Sequence, residues 1–161
     1  MRKSATFLIT GLIFLLVETT WGCLFEYGTL RFQGIAALVV WYGARVTFLK
    51  GISPVLALGV LASAFTVLPA WIYVSHVAAG YVIVRYIVRN VILGMLWQWM
   101  LLVFFVAAAM IVFLMTASGV LDFVWPWGIL QAGLDALLCP IMFFVLDRLD
   151  AAAFRSVKED A

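Results

Sequence analysis

Trp127-Gly-Ile-Leu-Gln-Ala-Gly-Leu-Asp-Ala-Leu-Leu-Cys-Pro-Ile-Met-Phe-Phe-Val-Leu146 is the stretch that decides the class of fold. It is long and apolar, yet it carries one acidic residue, Asp135. A helix needs about 20 mostly apolar residues to cross the hydrocarbon core of a bilayer. A carboxylate at that depth costs several kcal/mol unless it is neutralised, paired or hydrated. The stretch therefore predicts a transmembrane helix whose carboxyl group makes a specific contact.

The composition of the whole chain indicates the same environment. Of the 161 residues, 67% are hydrophobic and 11% are charged, and the mean hydropathy is +1.18. Soluble domains have about 25% charged and roughly 45–50% apolar residues. The net charge of +2 gives no electrostatic support for a nucleic-acid partner. Cys23 and Cys139 are spaced neither as metal ligands nor as a redox pair.

Six apolar segments are predicted to cross the membrane, at about residues 5–24, 32–46, 52–72, 74–88, 93–116 and 127–146. The first segment follows Met-Arg-Lys without a small-residue cleavage site, so we expect an uncleaved span rather than a signal peptide. Pro54 is expected in the first turn of the third segment, and Pro69 is expected to kink or end it.

The placement of basic residues tests this division of the chain. With a cytoplasmic N-terminus, one side of the membrane receives nine of the ten basic residues: Arg2, Lys3, Arg45, Lys50, Arg85, Arg89, Arg148, Arg155 and Lys158. Only Arg31 falls on the other side, as the positive-inside rule requires. The sequence thus predicts an all-α polytopic membrane protein, a single six-helix bundle over residues 1–161. Both termini, including a short C-terminal tail, are predicted to be cytoplasmic.

Polar and small residues share neighbouring faces of the sixth segment. Gln131 and Asp135 are four residues apart, and beside them runs a row of small residues and a proline, Gly128, Ala132, Ala136 and Pro140. Small residues at this spacing let another helix approach closely. We expect these residues to contact a membrane partner or the rest of the bundle. For Asp135, a ligand contact and proton handling also stay open.

The remaining polar candidates have plain structural interpretations as well as functional ones. Arg85 and Arg89 lie one turn apart and either anchor a helix end or bind anionic headgroups or a cytoplasmic partner. His76 is expected at the outer start of the fourth helix, at the membrane interface. Gln98 is expected to donate a hydrogen bond between helices, and Glu18 to lie near the outer surface.

Motifs of catalysis are absent from the sequence. It contains no Walker A loop, no Gly-x-Ser-x-Gly elbow and, with one histidine, no HExxH. We therefore expect a protein that is not an enzyme and that needs no cofactor or metal.

Four stretches carry a resemblance to a known family. They are Arg31-Phe-Gln-Gly-Ile-Ala-Ala-Leu-Val-Val-Trp-Tyr-Gly-Ala-Arg45, Pro54-Val-Leu-Ala-Leu-Gly-Val-Leu-Ala-Ser63, Ser75-His-Val-Ala-Ala-Gly-Tyr-Val-Ile-Val-Arg85 and Gln131-Ala-Gly-Leu-Asp-Ala-Leu-Leu-Cys-Pro-Ile-Met-Phe-Phe-Val-Leu-Asp-Arg148. Together they resemble MreD, the small integral membrane subunit of the bacterial rod-shape machinery, or elongasome. The last stretch has Asp135 where that family has Asn, and it keeps Pro140. The chain departs from the family at Phe32-Gln33, where Pro-Asp is usual, and at Ser63-Ala64, where an Asp often stands.

The resemblance implies a non-catalytic scaffold in the bacterial inner membrane. Such a protein supports cell shape and lateral peptidoglycan synthesis beside an MreC-like periplasmic partner and other elongation proteins. A second hypothesis is a small-molecule-binding membrane subunit of an energy-coupling transporter, also a six-helix protein of similar length. That function needs an outward-opening polar pocket, for which the outer half offers Glu18, His76 and Gln131.

Overall fold

The computed structural model describes residues 2–24, 34–65, 69–118 and 125–159, with side chains described over 3–17, 34–65, 69–117 and 128–151. In these ranges every regular element is an α-helix. In chain order the six helices are α1 (Arg2–Leu24), α2 (Gly34–Arg45), α3 (Phe48–Ser63), α4 (Ala70–Asn90), α5 (Leu96–Ser118) and α6 (Trp125–Glu159). The predicted all-α architecture is confirmed.

Within the residues whose side chains are described, three helices are long and apolar enough to cross a membrane. The segments concerned are Ala70–Asn90 in α4, Leu96–Ala117 in α5 and Gly128–Ala151 in α6. At 1.5 Å per residue, the 12 residues of α2 and the 16 of α3 extend only about 18 Å and 24 Å, less than the roughly 30 Å of a hydrocarbon core. The membrane class is indicated by α4, α5 and α6, and the count of six crossings stays a prediction.

The short helix α2 is the centre of the bundle. It contacts each of the other five helices, and nine of its twelve residues are buried. Its sequence is apolar nearly all round, the pattern of a helix enclosed by others rather than of one with a solvent face. Because α2 is covered on all sides, it needs no lipid contact along its length.

Successive helices run in opposite directions. The Ser4 hydroxyl, at the start of α1, lies 2.8 Å from the Tyr42 hydroxyl, at the end of α2. At the same end of the bundle, Arg85 near the end of α4 bonds the carbonyl of Gly43 in α2. The rings of Trp99 in α5 and Phe143 in α6 are 5.9 Å apart. The starts of α1, α3 and α5 and the later parts of α2, α4 and α6 therefore lie at one end, which we call the basic end.

The predicted boundary between the third and fourth segments was wrong. Helix α3 ends at Ser63, and Pro69 is the N-cap of α4 instead of a residue inside α3. The residue before a proline is disfavoured in a helical conformation, so a helix start at Ala70 is the natural outcome. Helix α3 also begins earlier than predicted, at Phe48, which places Pro54 in its second turn. There the proline removes one main-chain hydrogen bond from the helix.

Candidate functional site

Gln131 and Asp135 lie inside the bundle. Asp135 is 1% exposed and Gln131 5% exposed. The amide nitrogen of Gln131 donates a hydrogen bond to Asp135 Oδ1 over 3.2 Å, one turn along α6. A buried carboxyl group is tolerated when it has hydrogen-bond donors. The side chain that the sequence singles out therefore faces the chain's own helices and not the surrounding lipid.

The row of small residues on α6 is also internal. Ala132 and Ala136 are buried, while Pro140 is partly exposed. A Cβ atom added to Gly128 would lie 3.1 Å from Ile111 Cγ2 of α5, so the glycine lets these two helices pack closely. In this structure the row contributes to the packing of α6 within the chain. Most of the row is therefore not an open surface of this chain.

A polar clasp joins α2 to α6 at the basic end. The buried indole of Trp41 donates to Asp147 Oδ1 over 2.8 Å. The guanidinium of Arg45 lies 2.9 Å from both oxygens of the same carboxylate. Arg45 also bonds the Trp41 carbonyl and lies over the Trp41 ring, 5.0 Å from its centroid. Trp41, Arg45 and Asp147, which we call the clasp, fix the end of α2 against α6.

The two arginines of α4 differ in their surroundings. Arg85 is partly buried and donates to the carbonyl of Gly43 over 2.9 Å. That carbonyl lies in the last turn of α2, where a cation is favoured by the helix dipole and by unsatisfied carbonyl groups. Arg89 is exposed. Arg85 thus has a contact within the bundle, and Arg89 is the one of the pair with a side chain open to headgroups or a partner.

His76 and Gln98 each have a defined setting in the structure. His76 is only 7% exposed, with the rings of Tyr73 and Phe113 each 6.3 Å away, so its side chain packs within the bundle, and its depth in the membrane stays a prediction. Gln98 lies at the start of α5, where its side-chain oxygen accepts from the main-chain nitrogens of Gly94 and Met95. It caps the helix instead of donating to another one. The side chain of Glu18 lies outside the described residues.

The clasp was not predicted from the sequence. Arg45 was expected only to mark a membrane side, and no role was predicted for Asp147. A signal was nevertheless present, since both residues follow apolar segments that end on the same predicted side. Over the described ranges, no group of three His, Cys, Asp or Glu residues is placed to hold a metal ion.

Comparison with known proteins adds no identification. No protein-family model matches the chain, and neither a curated protein nor a solved structure shows significant similarity to it.

Proposed function

We propose that this protein is a non-catalytic integral membrane subunit of the bacterial elongasome. In this role it crosses the inner membrane six times, with both termini in the cytoplasm. It supports cell shape and lateral peptidoglycan synthesis by binding a single-pass partner of the MreC type. The proposal rests first on the resemblance of four sequence stretches to MreD.

The observation that best supports the proposal is how these four stretches pack. The stretch in α2 meets that in α6 through Arg45 and Asp147, and it meets that in α4 through Gly43 and Arg85. The stretch in α3 packs on α4 at Gly59, whose added Cβ would lie 2.7 Å from the Cα of Val74, the residue just before the stretch in α4. Parts of the four stretches therefore contact one another within one bundle, as expected when a shared pattern encodes a shared fold.

The outer surface of the bundle supports binding within the membrane. Large apolar side chains on α6 are exposed on one helical face: Leu130, Leu137, Ile141 and Phe144. A surface of this kind is stable in lipid and is available to a partner helix. Because the small-residue row on α6 is internal, we assign the partner contact to such exposed faces.

Photocrosslinking in native membranes tests this function. A photoreactive amino acid is introduced at Leu137 or Ile141, which are 67% and 62% exposed. Matched positions on the buried face of the same helix, Cys139 and Met142, serve as controls. We expect a single-pass coiled-coil protein of the elongation machinery to crosslink at the exposed positions and not at the buried ones.

The competing function gives a different product in the same experiment. Recovery of an ATPase module and of no cell-wall protein would indicate that the protein belongs to an energy-coupling transporter and not to the elongasome. Crosslinks to lipid alone at every exposed position, tested in turn along α1, α5 and α6, would contradict a stable membrane partner of either kind.

A further inference from the structure

An open pocket lies at the basic end, between the start of α1 and the turn that joins α2 to α3. Its volume is about 1080 Å³. Three cationic side chains and three hydroxyl groups line it, from Lys3, Ser4, Arg45, Thr47, Lys50 and Ser53. The other lining residues are apolar, and none carries a carboxylate.

The charges of this pocket are of one sign. Arg45 is held in place by Asp147. Lys3 and Lys50, in contrast, form no ion pair within the described part of the chain. Like charges that face one concavity with apolar walls focus a positive potential there. The pocket is therefore suited to an anion that can contact more than one cation at once.

The main chain adds to the same potential. Helix α3 begins at Phe48, directly after Thr47, and Thr47 makes no side-chain hydrogen bond that would cap the helix. The N–H of Lys50 donates to the Thr47 carbonyl over 3.1 Å, which leaves the N–H groups of Phe48 and Leu49 without an acceptor inside the helix, and the N-terminal end carries a partial positive charge. An α-helix N-terminus beside cationic side chains and hydroxyls is an arrangement that binds phosphate groups.

The surroundings of the pocket indicate the source of the anion. The outer faces of α1 and α3 beside it carry exposed apolar side chains, among them Ile9 and Leu56. An acyl chain can lie along these residues while its headgroup enters the pocket. We infer that the pocket between α1, the α2–α3 turn and α3 binds the phosphate of an anionic membrane lipid. This inference needs membrane insertion but does not depend on the elongasome assignment.

Lipid binding to the full-length protein tests the inference. The protein is reconstituted in nanodiscs, and the association of spin-labelled phosphatidylglycerol is compared with that of spin-labelled phosphatidylcholine. Lys3→Gln combined with Lys50→Gln should lower the preference for the anionic lipid by about tenfold or more, because each basic side chain near the surface contributes on the order of 1 kcal/mol.

Two further variants separate a built site from general attraction. Arg148→Gln removes one positive charge from an exposed position that does not line the pocket, and it should leave the preference within about twofold of the unmodified protein. Ser53→Trp fills the pocket without a change of charge, and it should lower the preference as the lysine pair does. Melting temperatures of all variants establish that each is folded.

Three results would overturn the inference. An equal loss for each charge removed in the lysine pair and in Arg148→Gln would mean diffuse attraction to the membrane surface. If Ser53→Trp kept the unmodified protein's preference for the anionic lipid, the pocket would not be the binding site. Saturable binding of inorganic phosphate, measured by calorimetry in a neutral detergent and lost in the lysine pair, would replace the lipid by a free anion.

Discussion

The indole nitrogen of Trp41 donates to Asp147 Oδ1 over 2.8 Å and so connects residues 106 positions apart in the chain. Trp41 is buried, whereas about half of the Asp147 side chain is exposed. Helix α2 packs against all five other helices along its length, and a polar contact at its end adds to that packing. The clasp supplies that contact at the basic end, with Arg45 bound to the same carboxylate.

Two substitutions of Asp147 should separate the contribution of the hydrogen bond to stability from that of the ion pair. Asp147→Ala leaves the Trp41 N–H without its acceptor, and we expect unfolding to become easier by about 1–3 kcal/mol. Asp147→Asn keeps an acceptor oxygen and loses only a partly exposed ion pair, for which about 0–1 kcal/mol is expected. Unfolding in mixed micelles with increasing SDS measures both.

A double-mutant cycle with Trp41→Phe provides the control. Since phenylalanine has no donor, the difference between Asp147→Ala and the unmodified protein should shrink in that background. An unchanged difference would mean that Asp147 acts through Arg45 alone.

Close packing of α3 on α4 requires glycine at position 59. A Cβ atom there would lie 2.7 Å from Val74 Cα and 3.3 Å from the Tyr73 carbonyl oxygen. Main-chain atoms cannot move aside as a side chain can, so Gly59→Ala should destabilise the bundle by about 1–3 kcal/mol. The matched control is Gly133→Ala in α6, where an added Cβ meets nothing within 4 Å.

The control has an expected result of its own. Because Gly133 lies in a helix, alanine there should be neutral or stabilise by about 0.5–1 kcal/mol through helix propensity. Unfolding of both variants in SDS measures their free energies of unfolding. Similar effects at the two positions would contradict the close approach of α3 and α4 at Gly59.

The helices and their directions could be predicted from sequence because lipid imposes a simple rule. Apolar runs of sufficient length form helices, and basic residues gather at one end. Lys3, Arg45 and Lys50, assigned to one side by their charge, line one pocket in the structure. The pattern does not mark which apolar run lies in the middle, since lipid and protein interior are equally apolar. The burial of α2 therefore could not be predicted.

The details of the site were harder to predict for a related reason. A row of small residues such as Gly128 and Ala132 predicts close helix packing but not whether the neighbour belongs to the same chain. The boundary at Pro69 was misplaced because residues 64–68 are apolar enough to continue a span. In the sequence, only Pro69 indicates that one helix has ended and another begins, and a proline is compatible with either a kink or a helix start.

Asp135→Leu should weaken association with a membrane partner while leaving membrane insertion intact. As Asp135 is 1% exposed, we expect this to follow from a less stable bundle, with the hydrogen bond from Gln131 lost. Asp135→Asn keeps an oxygen that can accept from Gln131, so it should retain both stability and partner. Co-purification and SDS unfolding are measured on the same preparations. A stable Asp135→Leu protein that has lost its partner would instead indicate a direct contact.

Membrane sidedness is predicted by the basic residues and can be measured with thiol labelling. In a background of Cys23→Ser and Cys139→Ala, single cysteines are introduced at Lys50 or Ala70, both exposed and at opposite ends of the bundle. Lys50 precedes most of α3 at the basic end, whereas Ala70 begins α4 at the other end. An impermeant maleimide should label Ala70→Cys in cells whose inner membrane is intact, and Lys50→Cys only after that membrane is opened. The reverse labelling pattern would mean that the topology is opposite to the predicted one. Labelling of both cysteines in intact cells would mean that α3 does not cross the membrane.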